Sequence, residues 1–331
     1  MNFSRVLAAG VCAILLTACT GLAGYRIRTV QISRCTYLLG TDVAGYYGLR
    51  YSLSGERCVL RSAEHSLRFT ADRREAVIDG TIVNLAVAPT LWRGALVFAE
   101  VDFRLLLDPI LRPASVPRQV IGTIVVDPGH GGRDQGTTGA GCLEKDVNLQ
   151  IARKLVTALR REGYHVYLTR PNDEALSLEQ RTAILKRLGG DLFLCLHSNS
   201  VADKTVNGIE TYLLPPGGTA STYSQKAART GNVGNRCDKA NARLAYDLQR
   251  GLLQSTRAAD RGIKHANFAV LRDASCPAVL IEMGFMSNAA EGKNLGRTPY
   301  QERLVSGMVA GVRAYQRNVR QAARVRGGGG A

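Results

Sequence analysis

Two histidines and two acidic residues stand where the sequence predicts the ends of buried strands or the start of a helix. His130, His197 and Glu282 each come shortly after a short apolar run, and Glu144 opens an amphipathic stretch. Two imidazoles and one carboxylate, with a fourth position left to water, are the ligands of a catalytic zinc site. None of these residues has the local HExxH spacing, so a second interpretation stays open. In that interpretation each histidine packs or forms hydrogen bonds separately at the start of its loop.

The elements that would position these residues alternate between strands and helices from residue 120 onward. Short apolar runs predict strands at 123–126, 165–169, 192–196, 209–213, 269–271 and 279–281. Amphipathic stripes predict helices at 144–161, 177–188, 241–256 and 300–315. This alternation predicts an α/β domain with a mainly parallel sheet covered by helices on both faces. In such sheets sites form at the carboxyl ends of the strands, which is where the chemistry-capable residues fall.

The first third of the chain has a different pattern. Short apolar runs with alternating polar residues, separated by turn signals, predict a small β-rich accessory domain over residues 20–112. Its segment 77–104 resembles the copper amine oxidase N-terminal-like domain, a family that often accompanies bacterial wall enzymes. Prolines mark a linker at 113–120, and the α/β domain follows at 121–318. The Arg- and Gly-rich residues 319–331 are expected to form a disordered tail.

The N-terminus predicts export. Residues 1–19 combine one positive charge, an apolar region at Val6–Leu16 and the run Leu-Thr-Ala-Cys, which resembles a bacterial lipobox. A lipid on Cys19 would anchor the protein to a membrane, and the absence of Asp at Thr20 resembles outer-membrane lipoproteins facing the periplasm. The alternative is an ordinary secretory signal with a chance cysteine. An exported protein permits disulfides, and we expect Cys35 to pair with Cys58.

Composition and charge exclude several classes of protein. The chain has 331 residues, of which 45% are apolar, so a wholly disordered chain is excluded. No apolar run after residue 20 approaches the roughly 20 residues that span a bilayer, which excludes a polytopic membrane protein. A formal charge of +16 suits nucleic acid, an anionic membrane surface or an anionic wall polymer. The sequence has no helix-turn-helix pattern, zinc finger or ribonucleoprotein motif, so we expect no nucleic-acid partner.

Six segments, in order, resemble the successive motifs of the zinc-dependent N-acetylmuramoyl-L-alanine amidases, the amidase type 3 family. They are DPGHGG at 127–132, EKDVNL at 144–149, LEQRT at 178–182, HSNS at 197–200, NGIETY at 207–212 and IEMGFMSN at 281–288. The resemblance runs from about residue 122 to residue 316. It implies a mostly parallel six-stranded sheet flanked by helices. It also implies Zn²⁺ held by His130, Glu144 and His197, with Glu282 as the catalytic carboxylate.

The resemblance further implies a substrate and a reaction. The substrate would be peptidoglycan, cleaved at the amide between the lactyl group of N-acetylmuramic acid and L-alanine of the stem peptide. Two alternatives remain open: a peptidoglycan-binding protein that is catalytically silent or depends on an activator protein, and a zinc peptidase acting within the stem peptide. In some relatives an insertion carries a helix that covers the zinc. The glycines within residues 215–238 favour a mobile substrate loop here.

Overall fold

The computed structural model describes residues 26–224, 226–228 and 230–321. The predicted signal peptide with Cys19 lies outside the described residues, as does the tail from residue 322 onward. Two compact units make up the described chain. The first contains the residues up to Gly80 together with Val87–Arg104, and the second contains Thr81–Ala86 and the chain from Leu105 onward. No helix within the described ranges is long and apolar enough to cross a membrane.

The strands, in chain order, are β1 (Thr29–Ile32), β2 (Cys35–Leu39), β3 (Arg50–Ser54), β4 (Arg57–Arg61), β5 (Ser66–Thr70), β6 (Glu75–Ile78), β7 (Thr81–Asn84), β8 (Thr90–Trp92), β9 (Ala95–Ala99), β10 (Thr123–Pro128), β11 (Thr138–Gly139), β12 (Cys142–Leu143), β13 (His165–Leu168), β14 (Leu192–Asn199), β15 (Ile209–Leu213), β16 (Asp260–His265) and β17 (Ala278–Phe285). The α-helices are α1 (Gly40–Tyr46), α2 (Glu100–Asp102), α3 (Asp108–Leu111), α4 (Glu144–Arg161), α5 (Leu178–Arg187), α6 (Asp238–Thr256), α7 (Ala269–Arg272), α8 (Ala289–Leu295) and α9 (Thr298–Gln321). A π-helical turn at Phe103–Leu107 joins α2 to α3.

The first unit is β-rich, as its alternating sequence predicts. Strands β1, β2, β9 and β8 form an antiparallel sheet in that order. Strands β3 to β6 form a meander in which each strand pairs antiparallel with the next. One face of the meander carries the buried side chains of Cys58, Leu60, Leu67 and Phe69, and the residues between them face outward. The period-two pattern of the sequence therefore determines which face packs on the core.

The predicted disulfide between Cys35 and Cys58 is wrong. Both are free thiols, as are the other four cysteines among the described residues. Cys35 begins β2 and packs at the edge of a small cluster around Val30 and Tyr37. Cys58 is fully buried beneath the meander, on β4. The two thiols therefore belong to different sheets of the unit, each with its own packing environment.

The sheet of the second unit confirms the predicted fold class. Its strands lie in the order β13-β10-β14-β17-β15-β16-β7. Neighbours are parallel except β15 and β17, which pair antiparallel, so the sheet is mixed and mostly parallel. Six of these strands belong to the segment predicted as the α/β domain: β13, β10, β14, β17, β15 and β16. The seventh, β7, comes from the segment predicted as the accessory domain, and it joins because Val83 pairs with Ile263.

Helices pack against this sheet by their apolar stripes. Helix α4 contacts β10, β13 and β14, and α6 contacts β15, β16 and β17. A capping box begins α5: the Ser177 hydroxyl accepts from the Gln180 amide at 3.2 Å, and the Gln180 side chain accepts from the Ser177 amide at 2.7 Å. Gly251 and Gly307 allow α6 and α9 to approach closely, since a Cβ on either would collide with the backbone of the other helix.

One strand prediction in the second unit is wrong. Residues 269–271 belong to helix α7, and the strand in this part of the chain is β16, at Asp260–His265. The apolar-run criterion misses β16 because polar residues occupy its buried positions: Lys264 is 4% exposed and His265 is 2% exposed. At the other end of the unit, α9 continues to Gln321, beyond the predicted boundary at residue 318.

Candidate metal centre

Three adjacent strands bring the polar residues together at one edge of the sheet. His130 follows β10, His197 lies on β14, and Glu282 lies on β17 directly opposite His197 in the strand register. Glu144 is the first residue of α4, which begins after the short hairpin of β11 and β12. All four residues singled out from the sequence therefore reach the carboxyl ends of parallel strands, the place where α/β sheets form sites.

His130, Glu144 and His197 form a compact triad. One ligand atom from each residue lies within 4.8 Å of the other two. The Glu144 Oε1 atom lies 3.1 Å from His130 Nε2 and 3.1 Å from His197 Nδ1. The centres of the two imidazole rings are 5.0 Å apart. Two imidazoles and one carboxylate at this spacing suit a divalent transition metal and leave a coordination position for water or substrate.

The loop that carries His130 is held by unusual backbone and by side chains. His130 has a φ of 62°, in the left-handed region, and Gly129 lies so close to His197 that a Cβ would collide with its ring. The His130 Nδ1 atom lies 2.9 Å from Asp134 Oδ2. This contact orients the imidazole and leaves Nε2 directed at Glu144, as second partners of metal-binding histidines do.

Two buried arginines brace the same loop. Arg181 pairs with Asp127 at 2.7 Å and donates to the His130 carbonyl at 2.8 Å. Arg170 is fully buried and donates to the carbonyls of Pro128 and Gly129, both at 2.9 Å. The motif containing Arg181 is visible in the sequence. The sequence analysis does not single out Arg170, because an arginine just after a predicted strand is typical of a surface loop.

Glu144 is held as a carboxylate. Its Oε2 accepts from the Thr137 amide at 2.9 Å, and its Oε1 accepts from the Ser198 amide at 3.1 Å and from Asn148 Nδ2 at 3.3 Å. Burial alone would raise the pKa of Glu144, but the hydrogen bonds from His130 and His197 outweigh it and hold the pKa far below its usual range. Asn148 is a residue that the sequence analysis missed, one helical turn after Glu144.

Glu282 is the one carboxyl of the group without a partner. Part of the residue is accessible, but its Oε2 atom is buried and has no hydrogen-bond partner among the described residues. Burial, and then the charges of Glu144 and Glu210, raise the pKa of Glu282 well above its usual range. A buried oxygen without a partner is costly unless water or a ligand satisfies it. The Oε2 atom of Glu282 is therefore available to bind a water molecule or a ligand that enters the site.

A cavity of about 660 Å³ opens over these residues. Its lining includes His130, His197 and Glu282 together with the apolar side chains of Leu178 and Phe268. Both apolar side chains are more than one third exposed, so they offer unoccupied apolar surface beside the polar centre. In the described part of the predicted insertion at 215–238, the helical segments before α6 are limited to a 3-10 turn at 233–237.

The next strand carries a second buried carboxylate. Glu210 on β15 pairs in register with Glu282. It accepts from Lys264 Nζ at 2.5 Å, from the Tyr212 hydroxyl at 2.6 Å and from Arg261 Nε at 2.8 Å. Burial alone would raise the pKa of Glu210, but hydrogen bonds from Lys264 and Tyr212 lower it below its usual value. We call these four residues the Glu210 cluster. The sequence analysis did not identify it as a unit.

Comparison with known proteins gives one consistent family. Residues 124–314, more than half of the chain, match the family described as N-acetylmuramoyl-L-alanine amidase, Amidase_3. The N-acetylmuramoyl-L-alanine amidase LytC of Bacillus subtilis (strain 168) is 34% identical over 199 residues, which are 60% of this chain and 36% of LytC. The chain thus spans about a third of that relative's length.

Solved structures agree with this match. The N-acetylmuramoyl-L-alanine amidase from Clostridium difficile 630 is 32% identical with a TM-score of 0.51, and the alignment covers 60% of this chain and 97% of that one. The CwlD amidase from Clostridioides difficile, solved in complex with the GerS lipoprotein, is 27% identical with a TM-score of 0.50. That alignment covers 59% of this chain and 98% of that one.

Proposed function

The chain belongs to the N-acetylmuramoyl-L-alanine amidase family Amidase_3, and from that membership we propose that it is a zinc-dependent peptidoglycan hydrolase. The bond cleaved is the amide between the lactyl group of N-acetylmuramic acid and L-alanine of the stem peptide. The observation that carries this proposal is the meeting of His130, Glu144 and His197 beside Glu282, whose buried Oε2 has no hydrogen-bond partner in the part of the chain that the structure describes.

The donor set fits zinc. Two neutral imidazoles and one carboxylate are the protein ligands of many catalytic zinc sites, and the Asp134 contact would orient His130 as a ligand. When bound there, zinc would polarise the substrate carbonyl and lower the pKa of water toward neutrality. Glu144 would neutralise part of the ion's charge, and the amides of Thr137 and Ser198, which donate to it, would help to keep it ionised.

Glu282 is the proposed proton carrier. The positive charge of the bound ion would favour the ionised form of Glu282. Its carboxylate would then accept a proton from the attacking water and deliver it to the departing amine of L-alanine, acting first as general base and then as general acid. The side chain lies opposite His197 in the strand register and lines the same cavity, so it can serve a substrate held at the triad. Because Oε2 makes no other hydrogen bond among the described residues, no partner has to be displaced first.

The first experiment identifies the bond. The purified full chain is incubated with peptidoglycan sacculi, and the released amino termini are identified with and without chelator. New L-alanine amino termini, lost with chelator and restored by added zinc, are the expected result. New termini of another stem-peptide residue would point to a peptidase. No new termini at full zinc content would point to a silent protein or to one that needs an activator, and would contradict the proposal as stated.

We further propose an exported protein tied to the outer membrane by a lipid on Cys19. This rests on the N-terminal sequence and on the wall-directed activity proposed above. Growth with a labelled fatty acid tests it: the wild-type protein should carry the label and Cys19→Ala should not. Label on Cys19→Ala would contradict the anchor. We also propose that a partner protein binds this chain, because the similar CwlD amidase is solved in complex with the GerS lipoprotein.

A further inference from the structure

The outward face of the meander in the first unit carries four arginines. Arg50 on β3, Arg57 and Arg61 on β4, and Arg68 on β5 are all exposed. Successive side chains of a strand point to opposite faces of the sheet. The four arginines occupy the positions that alternate with the core-facing residues, so they share the outward face. We call these four residues the arginine face.

The core fixes this orientation. Leu60 is fully buried between Arg61 and the outward-facing Val59, and Leu67 is fully buried beside Arg68. A slip of one residue in the pairing of a strand would turn its arginines into the core and its leucine into solvent. The arginines therefore stand on a rigid surface and not on a loop.

Nothing within the described chain neutralises these charges. None of the four arginines forms an ion pair with any described residue, in contrast to Arg28, which pairs with Asp42 at 2.8 Å. Arg50 lies directly opposite Arg61 in the strand register. Like charges in that position destabilise a sheet, so this pair has an unfavourable energy that a bound anion would relieve.

The neighbours of the arginines leave their guanidinium groups accessible. Arg57 lies opposite Ser54 on one side and Thr70 on the other, and both are small. Glu75, on β6, is the one acidic residue on this face of the four strands among the described residues. The face is therefore cationic and exposed to solvent.

We propose that the arginine face binds the carboxylates of peptidoglycan stem peptides. The choice of polymer rests on the proposed function, while the need for an anion rests on the arginines alone. A guanidinium binds a carboxylate through two parallel hydrogen bonds, which an ammonium cannot match. Each exposed pair is weak, but a polymer that repeats its carboxylates engages several arginines at once and gains from the shared tether.

The test measures binding separately from cleavage. The full chain carries Cys19→Ala, so that no lipid is attached, and Glu282→Gln, so that sacculi are not digested. Cosedimentation with sacculi is compared for this protein and for the same protein with Arg50, Arg57, Arg61 and Arg68 changed to Gln. We expect affinity to fall about tenfold in the quadruple variant. Conversion of the sacculus carboxylates to amides should weaken binding of the unchanged face by a similar factor.

A matched control separates this face from net charge. Four exposed arginines of the second unit, Arg161, Arg187, Arg297 and Arg317, are changed to Gln, which removes the same charge. This control should bind sacculi nearly as well as the parent. Equal weakening of both variants would overturn the proposal. The amidation arm needs no substitution, so unchanged binding to amidated sacculi would overturn it even if the quadruple variant failed to fold.

Two further measurements separate this proposal from membrane binding and from the amidase activity. If the arginine substitutions abolish binding to vesicles containing phosphatidylglycerol but leave sacculus binding intact, the face recognises a membrane and the proposal is wrong. The amidase proposal has its own readout, because the quadruple variant with Glu282 intact should still release L-alanine termini from soluble muropeptides. Cleavage without arginine-dependent binding would contradict the proposed role of the arginine face and leave the amidase proposal intact. Arginine-dependent binding without cleavage would contradict the amidase proposal and leave the role of the arginine face intact.

Discussion

Two buried carboxylates of the second unit are balanced in opposite ways. Glu210, 2% exposed, receives hydrogen bonds from Lys264, Arg261 and a tyrosine hydroxyl. Glu144, 5% exposed, meets two imidazoles and several neutral donors, and no lysine or arginine pairs with it among the described residues. The chain therefore supplies the countercharge of the Glu210 cluster itself.

At Glu144, by contrast, the described residues supply no lysine or arginine as countercharge. Two imidazole nitrogens at 3.1 Å from one carboxylate oxygen must either be protonated or share a cation with it. One cluster is thus a closed structural ion pair, and the other has a donor set that suits an external cation. The following substitutions test that difference.

The largest effect is expected from His197→Ala. Removing one of the three proposed ligands should leave two, so we expect both the bound zinc and the amidase activity to fall to background. Zinc is measured by elemental analysis and activity by released L-alanine termini. Full zinc content in this variant would show that the ion lies elsewhere. His165→Ala, which alters a histidine outside the centre, is the matched control and should keep both.

Glu282→Gln should separate chemistry from metal binding. We expect activity to fall by about 10² to 10⁴, the usual contribution of a general acid or base, while zinc content stays at the wild-type level. A protein that lost its zinc would instead make Glu282 a ligand. Glu302→Gln, on an exposed face of α9, provides the control for loss of one carboxylate.

Glu210→Gln should act on stability. Lys264 would be left as a buried charge without its carboxylate, so we expect the free energy of unfolding to fall by about 3–5 kcal/mol, measured by urea titration. Zinc content should remain. Adding Lys264→Met should recover part of the loss, because an apolar side chain replaces the stranded ammonium. If the double variant is less stable than Glu210→Gln, the cluster is not the closed pair described above.

The smallest effect is expected from Arg181→Lys. The lysine can still meet Asp127, but it cannot also donate to the carbonyls of Pro128 and His130 as the guanidinium does. Partners that orient a metal ligand typically contribute ten- to hundredfold, so we expect zinc affinity to fall about tenfold. An unchanged affinity, measured by competition with a chelator, would show that the loop holds His130 without this brace.

Much of the fold follows from sequence pattern, and the exceptions have physical causes. Apolar runs reveal strands such as β10 and β14 because both faces of these strands are buried. Strand β16 is hidden, since its burial depends on the partner carboxylate Glu210, which lies 54 residues away from Lys264 along the chain. No local pattern can report such a pair.

The candidate site shows the same division. His130, His197 and Glu282 can be picked out because each follows a predicted strand, and Glu144 can be picked out because it opens a predicted helix. Their assigned roles remain predictions that the substitutions above test. Arg170 cannot be identified from the sequence, because it acts by donating hydrogen bonds to backbone carbonyls that only the fold brings near it. Local sequence identifies groups that could react more readily than groups that hold them in place.

The strand β7 affects how the second unit must be built. The Ile82 amide donates to Asp260 at 2.7 Å, across 178 residues of sequence. During synthesis β7 emerges long before β16 exists, so the pairing of these two strands forms only when most of the chain has been made. Contacts of such long range slow folding because the intervening chain must first be ordered. An expression fragment that starts at the proline-rich segment would leave the edge of β16 uncovered, and we expect such a fragment to aggregate through it.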